Sequence, residues 1–172
     1  MKFKQSKEIK KTTLKRFLMK RMVCYILPNV FFNFIIAYAS FQELGYTHFF
    51  AGTQNLARLT IPMAIFLPAV LTADIIKRVT VAAEQGAIEF VVDDQLNVKK
   101  LMIRLSVLYG VITGLLVLSA LVFAQFSLSK YYKLDAMAMA VLDGTLAGVL
   151  SVVFVYLPVR RLKRYLYKCE IF

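Results

Sequence analysis

Tryptophan is absent from this 172-residue chain, histidine occurs once and cysteine twice. Two cysteines, Cys24 and Cys169, cannot build a disulfide framework, and no C-x-x-C is present to suggest a zinc ribbon or a redox pair. A lone histidine, His48, lacks the partners a metal site needs and reads as a loop residue. No Ser/His/Asp set, glycine-rich phosphate loop or H-E-x-x-H occurs. The expectation is a chain without catalytic, cofactor-binding or metal-binding residues. Acidic side chains are scarce as well: ten Asp and Glu stand against 22 Lys and Arg, a net charge of +12. Charged residues make up 19% of the chain, hydrophobic residues reach 59%, and the mean hydropathy is +0.64. A soluble domain holds roughly 45–50% apolar residues. The excess excludes disorder, collagen-like sequence and an ordinary soluble fold, and together with the basic charge it points to a polytopic membrane protein.

Four apolar runs carry that reading: residues 22–40, 59–76, 105–128 and 136–159, interrupted by charge only at Asp74 and Asp143. About 20 helical residues cross a hydrocarbon core of roughly 30 Å. Backbone groups in lipid must pair within their own segment, and the runs lack the alternation of a membrane strand, so each predicts a helix. The expected fold is therefore all-α, with four transmembrane helices as two hairpins in one bundle, forming a single membrane domain. Lys and Arg fall unevenly between the runs. Segments 1–21, 77–104 and 160–172 hold nineteen of them, and segments 41–58 and 129–135 hold three. The positive-inside rule places the nineteen, and hence both termini, in the cytoplasm. The basic start and Ala37-Tyr38-Ala39 also resemble a secretory signal. A 21-residue basic region and a 19-residue apolar run exceed that pattern, however, and favour a retained helix.

The basic N-terminal segment has no helix-turn-helix or RNP-like pattern beside it, so nucleic acid is not an expected partner. Lysines and arginines flanking membrane helices suit anionic lipid headgroups. Inside the membrane, small residues recur at every fourth position: Ser106, Gly110 and Gly114 in the third helix, and Ala136, Ala140, Gly144 and Gly148 in the fourth. Such stripes let helices approach closely. Contact within one bundle is the favoured reading over a homo-oligomer seam. Polar residues form a candidate intramembrane site. Asp143 has no basic residue within a helical turn, and an acid there is a functional candidate by default. Its nominated partners are Asn29, Asn33, Thr113 and Arg58. Asn29 and Asn33 follow Pro28 and face either another helix or carbonyls released by the proline. Asp74, three and four residues before Lys77 and Arg78, suits a local ion pair.

The two halves are loosely alike, and aligning Arg78 with Arg161 gives an offset of 83 residues. An even number of crossings per half makes this a parallel repeat. Phe66-Leu67-Pro68-Ala69 with Lys77-Arg78-Val79, and Pro158-Val159-Arg160-Arg161-Leu162, resemble the closing ends of a small two-helix bacterial membrane family of unknown function. The resemblance implies a bacterial inner-membrane hairpin in tandem and carries no chemistry with it. Two functional classes follow from the residues themselves. The favoured one is a non-catalytic assembly or regulatory component that binds another membrane protein. The alternative is a small-solute or ion transporter or channel using Asp143.

Overall fold

The computed structural model describes residues 12–42, 46–52, 55–93, 95–127 and 134–168. Four helices dominate it: α1 (Leu14–Gln42), α2 (Leu56–Glu84), α3 (Val98–Ser127) and α4 (Ala136–Leu162). Each is long and apolar enough to cross a membrane, which is the architecture of a multi-pass integral membrane protein. Cys169 and the lysines before residue 12 lie outside the described residues.

The first three helices outrun their apolar runs. Lys15, Arg16, Lys20 and Arg21 sit inside α1, α2 continues to Glu84, and α3 begins at Val98. Apolarity measures the hydrocarbon span, whereas helix ends are set by where backbone hydrogen bonding stops. Caps mark three of the starts. The Asn55 side chain accepts from Arg58 N (2.9 Å), Asn97 Oδ1 from Lys100 N (3.0 Å) and Asp135 Oδ2 from Ala138 N (2.9 Å). After α2 the chain turns at Gly86, whose φ of +65° is left-handed and open to glycine without strain.

Two pairs of very short strands tie the connections together. At one end, β1 (Tyr46–Thr47) pairs antiparallel with β3 (Leu134–Asp135). At the other, β2 (Phe90–Val92) pairs antiparallel with β4 (Leu166–Lys168), which follows a 3-10 turn at Lys163–Tyr165. Strands of two or three residues leave no periodicity to read in a sequence. Thr12 N donates to Ala87 O at 3.0 Å, so the start of α1 joins the β2–β4 end. That end, rich in Lys and Arg, also holds the end of α2, the start of α3 and the end of α4. Four alternating crossings require this arrangement.

The helices do not sit in sequence order. α1 rests on α4, α4 on α2 and α2 on α3, so the principal contacts run α1–α4–α2–α3. Shifting the numbering by 83 residues carries α1 onto α3 and α2 onto α4 to within a few residues at their ends. Exchanging the halves then turns the α1–α4 contact into the α3–α2 contact and leaves α2–α4 on itself. This is the pattern of an approximate two-fold relation with its axis between α2 and α4. The first helix of each hairpin is seated on the second helix of the other.

Side-chain size does not follow the same exchange. Gly148 of α4 and Ile65 of α2 are equivalent by the offset. A Cβ on Gly148 would lie 2.8 Å from Val30 Cγ2 of α1; on α3, one on Gly110 would lie 2.8 Å from the Ile65 carbonyl oxygen and one on Gly114 would meet the Ile65 side chain. Each seam thus has one glycine-bearing helix and one helix supplying a β-branched side chain, with the roles reversed between the two seams. Close approach of this kind is what favours association in lipid, where apolar surface gains little by leaving its solvent. Two cores result. One, toward the basic end, gathers Leu14, Ile75, Ile76, Val79, Val155 and Leu162. The other gathers Ala37, Phe41, Leu56 and Ala140.

Candidate functional site

α4 is flanked on both sides, and its polar residues face its two neighbours. Toward α2, Thr60 Oγ1 donates to Asp143 Oδ1 at 2.9 Å, and both residues are fully enclosed, at 1% and 0% exposure. Among the described residues Asp143 Oδ2 has no hydrogen-bond partner. Toward α1, Asn29 Nδ2 donates to Ser151 Oγ at 2.8 Å, while the Ser151 hydroxyl donates to Ala147 O one turn back (2.8 Å). Asp143, Ala147 and Ser151 lie along one row of α4, and none is exposed to solvent. The row is enclosed because the adjacent stripe is glycine-rich. At Gly144, an added Cβ would meet Phe34 Cβ and the Val30 carbonyl oxygen at 3.2 Å.

The nominated residues separate accordingly. The hydroxyl facing Asp143 is that of Thr60 and not that of Thr113, which is buried on α3 between Gly110 and Gly114. Asn29 reaches α4, but about two turns from Asp143, at Ser151. Asn33 stays local: its Nδ2 donates to Asn29 O at 2.7 Å in its own helix, so the carbonyl released by Pro28, that of Cys24, is not its partner. Arg58 stands exposed in the first turn of α2, where its backbone N–H meets the Asn55 cap. Thr60 was the residue to find, and the repeat offset contains it, because Thr60 and Asp143 are 83 residues apart. They occupy positions equivalent by that offset on the two helices, α2 and α4, that meet between the halves.

Both small-residue stripes lie on seams within the chain. Ala140 is fully buried, Ala136 and Ser106 nearly so, and Gly110 and Gly114 are covered by Ile65. A second polar cluster lies nearer the basic end. Asp74 Oδ2 accepts from Arg78 Nε at 2.6 Å, the i to i+4 pair expected, and also from the hydroxyl of Tyr25, which ties α1 to α2. Tyr25 was not signalled by spacing, since it lies 49 residues from Asp74. His48 lies in the loop before α2, where its carbonyl accepts from Leu56 N at 2.9 Å. Among the described residues no group of three or more His, Cys, Asp or Glu is placed to hold a metal ion.

The fold and site define a polytopic helical membrane protein whose enclosed polar side chains run from helix to helix. Compared with known protein families, curated sequences and solved structures, the chain matches none.

Proposed function

We propose that the protein is a non-catalytic assembly or regulatory component of the cytoplasmic membrane, with both termini in the cytoplasm, that acts by binding another membrane protein or a second copy of itself. The observation that carries this reading is the use of the intramembrane polar groups. Asp143 meets Thr60, Asn29 meets Ser151 and Tyr25 meets Asp74, each pair joining two helices. Groups spent on helix-to-helix ties hold a scaffold together, whereas a transport path needs polar groups converging from several helices on a shared space. The outward side of α3 supplies a surface for a partner: Val107, Val111 and Leu115 repeat at every fourth position with 59%, 50% and 58% exposure.

One observation favours the alternative of proton or cation transport, namely the enclosed and unpartnered Oδ2 of Asp143. Reconstitution separates the two. Purified protein in sealed vesicles should show no proton or cation flux above that of empty vesicles. A photo-crosslinking residue in place of Leu115 should join the protein in native membranes to one defined membrane protein, or to itself. A flux abolished by Asp143→Asn, in protein that stays folded, would refute the assembly reading.

A further inference from the structure

We infer that the groove between the start of α1 and the end of α4 is a binding site for one anionic phospholipid. The groove has a volume of about 560 Å³, and the residues that form it include Lys15, Leu18, Val153, Leu157, Arg160 and Lys163. Its chemistry is ordered along the helix axes. On α4, Val153 and Leu157 come first and Arg160 follows about one turn nearer the basic end, with Lys163 just past the helix in the 3-10 turn. On α1, which runs the opposite way, Leu18 lies deep and Lys15 lies toward the end. The α4 row from Val153 to Arg160 spans about 10 Å at the rise of an α-helix. Both walls therefore offer cations at the membrane surface and apolar surface below it, which is the polarity of a lipid lying in a leaflet. Among the described residues no acidic side chain lines the groove. A guanidinium with two ammonium groups fits a phosphate that carries no compensating cation, and basic pockets between membrane helices bind such headgroups.

The internal repeat shows that these cations are not required by the packing. At the positions equivalent by 83 residues, Lys15 becomes Val98, Arg160 becomes Lys77 and Lys163 becomes Thr80. Leu157 becomes Asp74, which is paired with Arg78. The α2–α3 seam forms with one of the three cations and an acid in the apolar place. Another cavity at this end, about 450 Å³ and lined by Arg21, Lys77 and Arg78, also contains Asp74 and is partly neutralised by it. A cavity of about 230 Å³ also joins Arg104, Arg161 and Arg164 to leucines, but the α1–α4 groove, at about 560 Å³, is the larger of the two.

The test uses the full-length protein in neutral detergent, titrated with phosphatidylglycerol or phosphatidylcholine, with retained lipid read by native mass spectrometry. Phosphatidylglycerol should be retained at one copy and phosphatidylcholine should not. Arg160→Gln with Lys163→Gln should weaken retention about 25-fold, at about five-fold for each basic residue near the surface. Val153→Trp keeps all three cations but fills the apolar part, and Val153 is already 41% exposed, so the fold tolerates the ring. It should weaken retention about 10-fold, the loss of close to two buried methylenes of lipid chain. Lys99→Gln with Lys100→Gln, at the same end but outside the groove, should leave retention unchanged. An equal loss in that control pair would mean diffuse surface attraction and overturn the site. Full retention by Val153→Trp, or displacement of the lipid by millimolar inorganic phosphate, would mean that phosphate alone is recognised, and would equally overturn it. Should the double variant fail to fold, the tryptophan variant and the phosphate competition still decide.

Discussion

Gly110→Ala is the sharpest test of how closely the helices approach. The added Cβ would lie 2.8 Å from the Ile65 carbonyl oxygen and 3.4 Å from Ala69 Cβ. Carbon and carbonyl oxygen rarely come closer than about 3.3 Å, so α2 and α3 must separate locally by about 0.5 Å. The obstructing atom belongs to a helix backbone and has no rotamer through which to yield. A gap of that size forfeits about a quarter of each dispersion contact. Over some 40 atom pairs, as many as one buried side chain makes, the loss is about 1.5 kcal/mol. That lies within the roughly 1–3 kcal/mol usual for overpacking. Alanine also favours the helix over glycine by up to about 1 kcal/mol, which would mask part of the loss. Gly144→Ala is the control, because it carries the same helical gain with more room, 3.2 Å to the Val30 carbonyl oxygen and to Phe34 Cβ. The difference between the two variants therefore reads clearance. Gly110→Ala should be the less stable by about 1 kcal/mol, measured as the shift in the midpoint of unfolding by SDS in mixed micelles. Equal stability, or the reverse order, would refute the close α2–α3 approach.

Thr60→Val and Asp143→Ala, alone and together, form a double-mutant cycle whose coupling should be about 0.6 kcal/mol, the mean for interhelical hydrogen bonds in a membrane protein; zero coupling would mean that the two side chains do not meet. Asp143→Asn by itself should leave abundance nearly unchanged, because an amide oxygen still accepts from Thr60. Asp143→Leu should destabilise, because it sets an uncompensated threonine hydroxyl against a bulkier side chain in a fully enclosed place, and a more stable protein in detergent would show that this position faces lipid. Tyr25→Phe removes the tie from α1 to Asp74 while Arg78 keeps its own pair, so a loss of about 1 kcal/mol is expected in the same SDS assay; no change would assign the Asp74 contact to Arg78 alone. For orientation, a cysteine at Ala51 should react in intact cells with an impermeant thiol reagent and one at Gln95 should not, in a background lacking Cys24 and Cys169. Labelling of the Gln95 variant alone would reverse the topology.

Much of the protein was decided by the sequence alone. Four uninterrupted apolar runs and the unequal distribution of Lys and Arg are properties of local composition, and lipid acts on each segment separately. Helix number, alternation and the gathering of basic residues at one end are therefore legible without any knowledge of contacts. So is the closeness of some packing, because Gly110, Gly114, Gly144 and Gly148 mark faces that a neighbour can approach. Which neighbour approaches is not local information. Adjacent helices in the chain are natural candidates to pair, and α2 does sit on α3, yet α1 sits on α4, the helix farthest from it in sequence. The choice depends on matching the glycines of one helix to Val30, Phe34 or Ile65 of another far away in sequence, a match of shape that no periodicity encodes. The same arrangement gave Asp143 to Thr60 instead of Thr113 or Arg58, turned Asn33 back onto its own helix, and set Lys15 beside Arg160 and Lys163. In lipid every apolar face is equally well solvated, so sequence hydrophobicity selects the membrane and leaves the order of the helices to shape and a few hydrogen bonds.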